Sequence, residues 1–321
     1  MSQRVFLRAG VAALVSVLFI AGTASGAESE ALRTAWDAPD IGGIWDFRTI
    51  TPQHLHMVRD MGLTGAAFHG VGDQLFDVQT AECEKVRDIF AQIGMDLPQF
   101  GIAYGECLFD YQADVRAHTV RKIGRGIEVA RELNAHTCLI RTGSLNPAGS
   151  YSPCKENFLP ESKERLIETL KKVATKAEAE GVTIVIETHA LTIMGSPETN
   201  REIIAAVDSD RIGVVMDYVN HFQSMQQVYD STQRLNHIFD YMGPISPVGH
   251  CKDIRVKSGL VLHIDEEVPG EGELDMVTAL QRWHDLKPGG YMLLEHLSSE
   301  RYLQAAANVQ RICADAGIEI H

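Results

Sequence analysis

The sequence predicts a single-domain (β/α)8 TIM barrel, because short apolar runs and amphipathic stretches alternate eight times along its 321 residues. The stretches repeat apolar residues at helical spacing, and the runs between them have the length of strands. The composition does not change between the two halves, so no second domain is expected. An open doubly wound sheet is the alternative, but the first strand–helix turn lacks the G-x-G-x-x-G fingerprint, and a count of eight favours closure.

The predicted elements follow one another without interruption. The strands are IGGIWDF (41–47), TGAAFH (64–69), LPQFGIAY (97–104), HTCLIRTG (136–143), VTIVIE (182–187), RIGVVMD (211–217), ISPVGHCKD (245–253) and GYMLLEH (290–296). The helices are predicted over 51–62, 79–94, 114–133, 160–181, 196–207, 224–242, 273–286 and 299–317. Thr51-Pro52 and Ser196-Pro197 have the N-cap and first-turn proline of helix starts, and Gly62, Gly94 and Gly181 are typical helix stops.

The N-terminal segment predicts export. Two arginines, an apolar run over 9–21 and small residues before an acidic stretch are typical of a secretory signal peptide, here assigned to 1–27. A polar leader over 28–39 and the barrel over 40–321 are expected to follow. The mature protein is therefore expected in the periplasm or secreted. The run is short for a membrane span and no later stretch is long enough, so no membrane attachment is expected after cleavage.

The charge excludes one class of partner. The formal net charge of the chain is −14, and loss of the two signal-peptide arginines leaves −16. So acidic a protein repels a polyphosphate backbone unless it carries a basic groove, and the sequence shows none. Nucleic acid is therefore not an expected partner, whereas a homo-oligomer is compatible with the sequence.

The six cysteines do not form the pattern of a disulfide scaffold in a chain of this size. Cys138 and Cys251 lie in apolar runs and are interpreted as buried thiols. Cys107 and Cys154 follow two successive strands, so a disulfide between them is a hypothesis for an oxidising compartment.

Four consecutive strands end in a polar side chain: Glu187, Asp217, His250 and Glu295. In a barrel the C-terminal ends of the strands meet at one face, with neighbours about 5 Å apart. Three carboxylates at one place repel one another unless a cation lies between them. One such residue alone more often caps a helix or faces solvent, but four at one depth indicate a site for Mn²⁺, Mg²⁺, Co²⁺ or Zn²⁺. The lack of cysteine argues against structural zinc.

Several motifs resemble one known family. IVIETHA, GVVMDYVN, GHCKDI, VPGEGELD and MLLEH are similar to the sugar isomerase/epimerase family with the xylose isomerase-like barrel, over about residues 40–318. That family includes ketose 3-epimerases, inosose dehydratases and hydroxypyruvate isomerases. The resemblance implies that Glu187, Asp217, His250 and Glu295 bind one divalent ion, with Mn²⁺ preferred, and that Glu187 and Glu295 transfer protons.

Four further positions are candidates for substrate contact. His189 faces the same side as Glu187 and resembles the family's substrate-contacting histidine; the alternative is that it orders the loop. Lys252 faces the same side as His250 and either binds a substrate oxygen or pairs with a barrel carboxylate. Asn220 and His221 follow the aspartate of strand six, where ketose epimerases favour histidine at the position of Asn220, so this chain departs from them.

The remaining candidates lie at other strand ends and in one loop. His69 and Trp45, at the ends of strands two and one, are candidates for substrate contact, with structural packing as the alternative. Asp253 is expected to support the metal ligands from behind, and Glu271, in PGEGELD, to hold the loop over strand seven.

The expected function is a divalent-metal-dependent isomerase or epimerase of a sugar or keto-sugar, acting through an enediolate. A lyase that eliminates the aglycone of a 3-oxo-glycoside, or a dehydratase of a keto-polyol, is the alternative, because the same intermediate can eliminate. A non-catalytic exported sugar-binding protein is the rival from another class. An AP endonuclease shares the barrel but needs further histidines, so that function is rejected.

Overall fold

A computed structural model describes residues 30–37, 46–69 and 72–321. Eight parallel strands close into a barrel in the order β1-β10-β7-β6-β5-β4-β3-β2, and a separate antiparallel hairpin pairs β8 with β9. The strands are β1 Arg33–Asp37, β2 Gly65–His69, β3 Gln99–Gly101, β4 Thr137–Arg141, β5 Thr183–Glu187, β6 Ile212–Met216, β7 Val248–Cys251, β8 Asp253–Lys257, β9 His263–Glu267 and β10 Tyr291–Leu294. The predicted fold class is therefore confirmed.

Helices follow the barrel strands and pack around them. They are α1 Pro52–Asp60, α2 Thr80–Ile93, α3 Ala113–Leu133, α4 Pro160–Glu180, α5 Pro197–Val207, α6 Met225–Tyr229, α7 Ser231–Met242, α8 Met276–Leu286 and α9 Ser299–Ala316. Thr51 and Ser196 cap α1 and α5 through their hydroxyls, as predicted. Gly94 and Gly181 end α2 and α4 in the left-handed conformation, which glycine adopts without strain.

The first strand lies earlier in the chain than predicted. Strand β1 covers Arg33–Asp37 and pairs with β2 on one side and β10 on the other, so the predicted polar leader over 28–39 contains a barrel strand. Its sequence, RTAWD, has only two apolar residues, and its burial comes from neighbours that are distant in sequence. Phe47–Thr49, at the end of the predicted strand, forms a 3-10 turn. The signal peptide over 1–27 and Trp45 lie outside the described residues.

The hairpin formed by β8 and β9 was not predicted. It leaves the barrel directly after β7 and pairs Asp253 with Glu267 and Lys257 with His263. Six of its ten strand residues are charged and only two are buried, so it gives no apolar run of the kind that reveals a buried strand. The hairpin extends from the barrel face on which the strands end.

The barrel interior positions the polar strand ends. Its apolar interior layers are formed by Ala35, Ala67, Leu139, Val185, Val215, Val248, Tyr291 and Leu293. Because successive residues of a strand face opposite sides, the residue two positions further on faces the interior again. Glu187, Asp217, His250 and Glu295 each follow a member of these layers by two positions. They therefore form the next layer toward the C-terminal ends of the strands.

All six cysteines of the sequence lie among the described residues and are free thiols, so the hypothetical disulfide between Cys107 and Cys154 is not formed. Cys154 instead donates from Sγ to Glu156 at 2.7 Å. Cys138 and Cys251 are buried, as predicted. Over the described residues, no helix combines the length and apolar character needed to cross a bilayer.

Two glycines give a matched test of the packing. A Cβ at Gly213, in β6, would lie 2.5 Å from the backbone oxygen of Ile245, whereas at Gly124, in α3, the nearest atom is Lys176 Cγ at 3.8 Å. We expect Gly213→Ala to lower the free energy of unfolding by about 1–3 kcal/mol through overpacking. Gly124→Ala should raise it by about 0.5–1 kcal/mol through helix propensity.

Urea unfolding of both variants, followed by circular dichroism, measures this difference. Equal midpoints for the two variants would contradict the packing described for β6.

Candidate metal centre

Four ligand-type side chains meet at the C-terminal end of the barrel. One ligand atom from each of Glu187, Asp217, His250 and Glu295 lies within 4.8 Å of those of the others. All four residues are buried. Glu187 ends β5, Asp217 and Glu295 directly follow β6 and β10, and His250 lies in β7. The predicted convergence of four strand ends is therefore present.

The cluster contains buried polar atoms without hydrogen bonds to described residues. They are Asp217 Oδ1, His250 Nδ1 and Glu295 Oε1. Glu295 Oε1 nevertheless lies within ion-pair distance of His250 Nδ1, at 2.7 Å, and of Lys252 Nζ, at 2.5 Å. Buried polar atoms normally have a partner, and lone pairs that converge without one are satisfied by a cation. Three carboxylates and one imidazole match the donors that divalent ions prefer. These residues therefore fit a divalent metal ion.

Gln99 orients the His250 ring through the ring nitrogen that does not face the cluster. Its Nε2 lies 3.3 Å from Oε1 of Gln99, an amide oxygen that accepts a hydrogen bond from the ring N–H and leaves Nδ1 facing the cluster. Burial lowers the pKa of His250, but the carboxylates of Glu295 and Asp217 outweigh it and raise that pKa to about 10. Without a metal ion, the imidazole thus holds a proton where a metal would bind.

Lys252 lies inside the cluster. Its Nζ is 2.8 Å from Asp217 Oδ2 and 2.5 Å from Glu295 Oε1, and the residue is 2% exposed. Burial lowers the pKa of the ammonium, but Asp217 and Glu295 raise it well above its usual range. Of the two predicted roles of Lys252, the pairing with barrel carboxylates is the one the geometry shows.

Glu187 has a different set of partners. Arg141 Nε donates to Glu187 Oε2 at 2.9 Å, and the Tyr151 hydroxyl donates to the same oxygen at 2.9 Å. Burial raises the pKa of Glu187, but His189 and Arg141 outweigh it and hold that pKa well below its usual range. This carboxylate is therefore fixed in its ionised form.

His189 lies beside Glu187, and His221 lies beside Thr188. His189 Nε2 lies 3.6 Å from Glu187 Oε1, and its ring packs edge-on against Tyr151 at 4.7 Å. That nitrogen is buried and has no hydrogen bond to a described residue. The substrate contact of His189 stays a prediction. His221 is fully buried, and its Nε2 lies 3.0 Å from the Thr188 hydroxyl. Its contact with substrate stays a prediction.

Asn220 supports Asp217. Its amide Nδ2 donates to Asp217 Oδ2 at 2.8 Å, so the residue that replaces the histidine of ketose epimerases orients a ligand. His69 ends β2, but its side chain is outside the described part of the chain, as is the whole of Trp45. Their predicted substrate contacts remain predictions.

Asp253 organises the loop that carries PGEGELD. Its Oδ2 accepts from the backbone N–H groups of Gly270 and Gly272 at 3.0 and 2.9 Å, and its Oδ1 from those of Ile254 and Leu274 at 2.8 and 3.1 Å. Burial raises the pKa of Asp253 although these four donors oppose the shift. Asp253 therefore acts on the loop rather than on a metal ligand.

Glu271 fixes the same loop from outside. Its backbone oxygen accepts from Arg255, and its carboxylate accepts from Gln304 of α9. The expectation that Glu271 holds the loop over β7 agrees with these contacts.

The sequence analysis missed four residues of the site: Gln99, Arg141, Tyr151 and Glu266. Arg141 pairs in register with Glu187 and ends an apolar run, which is the same signal that revealed the four candidate ligands. Glu266 of β9 lies 3.5 Å from Lys252 Nζ and 2.9 Å from His296 Nδ1. Tyr151 lies in the loop after β4 and Glu266 lies in the hairpin, so neither comes directly after a barrel strand. Their distance from a strand end in the sequence therefore did not indicate them.

Comparison with known proteins supports the fold. The sequence profile of the xylose isomerase-like TIM barrel family matches residues 55–313. No curated protein matches the chain by sequence.

Solved structures match over most of the chain at low identity. The 3-keto-D-glucoside 4-epimerase of E. coli is 14% identical with a TM-score of 0.63, over 88% of this chain and 99% of that one. D-psicose 3-epimerase of Clostridium cellulolyticum H10 with D-tagatose is 13% identical with a TM-score of 0.64, over 89% and 98%. A xylose isomerase-like TIM barrel protein from Mycobacterium smegmatis, in complex with magnesium, is 17% identical with a TM-score of 0.64, over 89% and 96%.

The His250 proton makes metal binding depend on pH. Because the pKa of His250 is raised to about 10 in the metal-free protein, a divalent ion must displace that proton. We expect Mn²⁺ affinity to rise by up to about tenfold per unit between about pH 6.5 and 8.5, with release of about one proton per ion.

Calorimetric titrations in buffers of different ionisation enthalpy measure the proton count. Asp217→Asn, which removes a ligand charge, serves as the weakened-site control. A binding enthalpy independent of the buffer would contradict the protonated state of His250.

The loop around Asp253 gives a second prediction. In Asp253→Asn, one acceptor oxygen becomes an NH2 group, so two of the four backbone N–H groups lose their partner. We expect the free energy of unfolding to fall by about 1–3 kcal/mol. Hydrogen exchange should also become faster in residues 269–275.

Asp265→Asn, at an exposed position of the neighbouring strand β9, is the control. If both variants exchange like the unaltered protein, Asp253 does not organise the loop.

Proposed function

This chain belongs to the xylose isomerase-like TIM barrel family, and from that premise we propose that it is a divalent-metal-dependent isomerase or epimerase of a small sugar or keto-sugar. The observation that carries the proposal is the buried cluster of Glu187, Asp217, His250 and Glu295, whose ligand atoms converge and in which Asp217 Oδ1 has no hydrogen-bond partner among the described residues. Among the similar structures, the E. coli and Clostridium proteins are named as sugar epimerases.

The chemistry needs a polarised carbonyl and a proton-transfer group. A divalent ion held by the four ligands would polarise the carbonyl of a hydroxy-ketone and stabilise the enediolate formed when a neighbouring C–H is lost. Mn²⁺ is the preferred ion of this proposal, and Mg²⁺, Co²⁺ and Zn²⁺ suit the same donors.

Glu187 and Glu295 are the proposed acid–base pair. They project from β5 and β10, which are separated in the barrel by β6 and β7, so they reach a bound substrate from different sides. One carboxylate removes a proton from carbon and the other returns a proton to the opposite face or to the neighbouring carbon. The first outcome is epimerisation and the second is isomerisation.

Two cationic side chains of the site lower the free energy needed to form an anion there. The carboxylates of Glu187, Asp217 and Glu295 bring three negative charges, and the Lys252 ammonium and Arg141 guanidinium offset two of them. A developing enediolate therefore meets less repulsion than the three carboxylates alone would cause. In this proposal His189 Nε2, which has no hydrogen bond to a described residue, binds a substrate hydroxyl.

A lyase is the second candidate, favoured by one observation. The similar E. coli protein is named as acting on a 3-keto-D-glucoside. A carbanion next to the keto group of such a compound eliminates when a leaving group lies β to it. A non-catalytic sugar-binding protein is the remaining rival and has no need of bound metal.

Export is also part of the proposal. N-terminal sequencing of the mature protein tests it, and cleavage after Ala27 is the expected result.

Isotope exchange tests the acid–base pair. In D₂O with Mn²⁺, we expect deuterium at a carbon next to the carbonyl of a ketose or 3-oxo-glycoside, detected by NMR with the skeleton intact. Glu187→Gln and Glu295→Gln should each slow this exchange by about 10²–10⁴-fold, because a proton-transfer group is lost while an oxygen ligand remains.

Glu84→Gln, at an exposed position of α2, is the control, and metal content is measured for every variant. Undiminished exchange in both site variants would contradict the assigned roles. Release of the aglycone would favour the lyase.

A further inference from the structure

We propose that Arg141 is a carboxylate-binding residue of this site, so that the sugar substrate carries an acid group. This inference rests on the proposed function, and it names the substrate class within it. Arg141 ends β4 and pairs in register with Glu187 of β5, so its side chain lies beside a candidate metal ligand.

Arg141 has N–H donors that no described residue accepts. A guanidinium carries five N–H groups, and among the described residues only Nε of Arg141 has a side-chain partner, Glu187 Oε2 at 2.9 Å. The four N–H groups on its two terminal nitrogens bind no described residue. The side chain is 22% exposed, so a ligand can reach these groups from the mouth of the barrel.

The guanidinium is held in place before a ligand binds. The backbone N–H of Arg141 donates to the Tyr104 hydroxyl at 2.9 Å, and that hydroxyl donates to the Arg141 carbonyl at 2.5 Å. The Tyr151 ring lies 5.7 Å from the guanidinium carbon, and the Tyr151 hydroxyl binds the same Glu187 oxygen. A donor group fixed in this way loses little entropy when it binds a ligand.

The other cations near the cluster are occupied. Lys252 Nζ contacts Asp217, Glu295 and, at 3.5 Å, Glu266. Arg255 lies on the hairpin rather than at a barrel strand end, and its hydrogen bond is to the Glu271 backbone and not to one of the four candidate ligands. Arg141 is therefore the cation of the described site that remains available to an anionic ligand.

The geometry of the group favours a carboxylate. The two terminal nitrogens of arginine form a planar fork that matches the two oxygens of a carboxylate. A phosphate dianion normally gains a second cation or a nest of backbone N–H groups, and Arg141 alone does not supply these. A neutral hydroxyl uses one donor and gains no charge assistance.

D-fructose and D-fructuronate are matched probes, because they differ only in the oxidation of C6 to a carboxylate. We expect the Mn²⁺-loaded protein to bind D-fructuronate about 10–100-fold more tightly than D-fructose, as a charge-assisted pair contributes. Isothermal titration calorimetry at saturating Mn²⁺ measures both dissociation constants, and D-fructose 6-phosphate forms a third arm.

Variants assign the difference to Arg141. In Arg141→Gln the ratio of the two dissociation constants should fall to about one, and in Arg141→Lys it should be intermediate, because charge remains without the fork. Arg311→Gln, on the exposed surface of α9, should keep the ratio of the unaltered protein. Mn²⁺ affinity is measured for each variant, since Arg141 also contacts Glu187.

The outcomes separate this inference from the proposed function. Equal binding of the two sugars, tighter binding of the phosphate, or no binding of either sugar would overturn the carboxylate assignment. If the sugars bind equally but exchange deuterium, the proposed function survives without it. If D-fructuronate binds more tightly through Arg141 but no C–H bond exchanges, the assignment stands and the proposed function fails.

Discussion

The repulsion among three buried carboxylates is the constraint around which this end of the barrel is arranged. Glu187, Asp217 and Glu295 each lose hydration in the interior, and none of them would remain ionised there alone. Lys252, Arg141 and the imidazoles of His189 and His250 hold them ionised. What is left is a set of convergent lone pairs that fits a dication, with the hydrophobic layer of the barrel below it.

The two proposed proton-transfer groups have unequal surroundings. Glu295 contacts Lys252 and His250, and these partners belong to the cluster itself. Glu187 is held through one oxygen by Arg141 and Tyr151, which come from β4 and the loop after it. In the proposed function, Arg141 and Tyr151 on the β4 side would therefore distinguish substrates with different end groups. The β7 and β10 side carries His250, Glu295 and Lys252, which belong to the candidate metal site.

The segment after β7 links the surface of the protein to this cluster. The hairpin brings Glu266 to Lys252, and the following glycine-rich loop closes around the Asp253 carboxylate. Gly272 is required there, because a Cβ at this position would lie 2.6 Å from the Ile254 backbone oxygen and closer still to Asp253. The PGEGELD segment, recognised in the sequence as a motif, is thus a set of backbone donors built around one buried carboxylate.

The sequence by itself determined the eightfold alternation, the helix caps and the four strand ends, because each of these is a local pattern: an apolar period, a turn residue, or a charge that ends a buried run. Only the tertiary structure decided that RTAWD is a barrel strand, that His221 is buried, that Cys107 and Cys154 stay apart, and that Arg141 and Tyr151 share one oxygen of Glu187. These facts depend on partners many residues away. Spacing along the chain shows which side of a strand a residue faces, but not which donor reaches it once the barrel has closed.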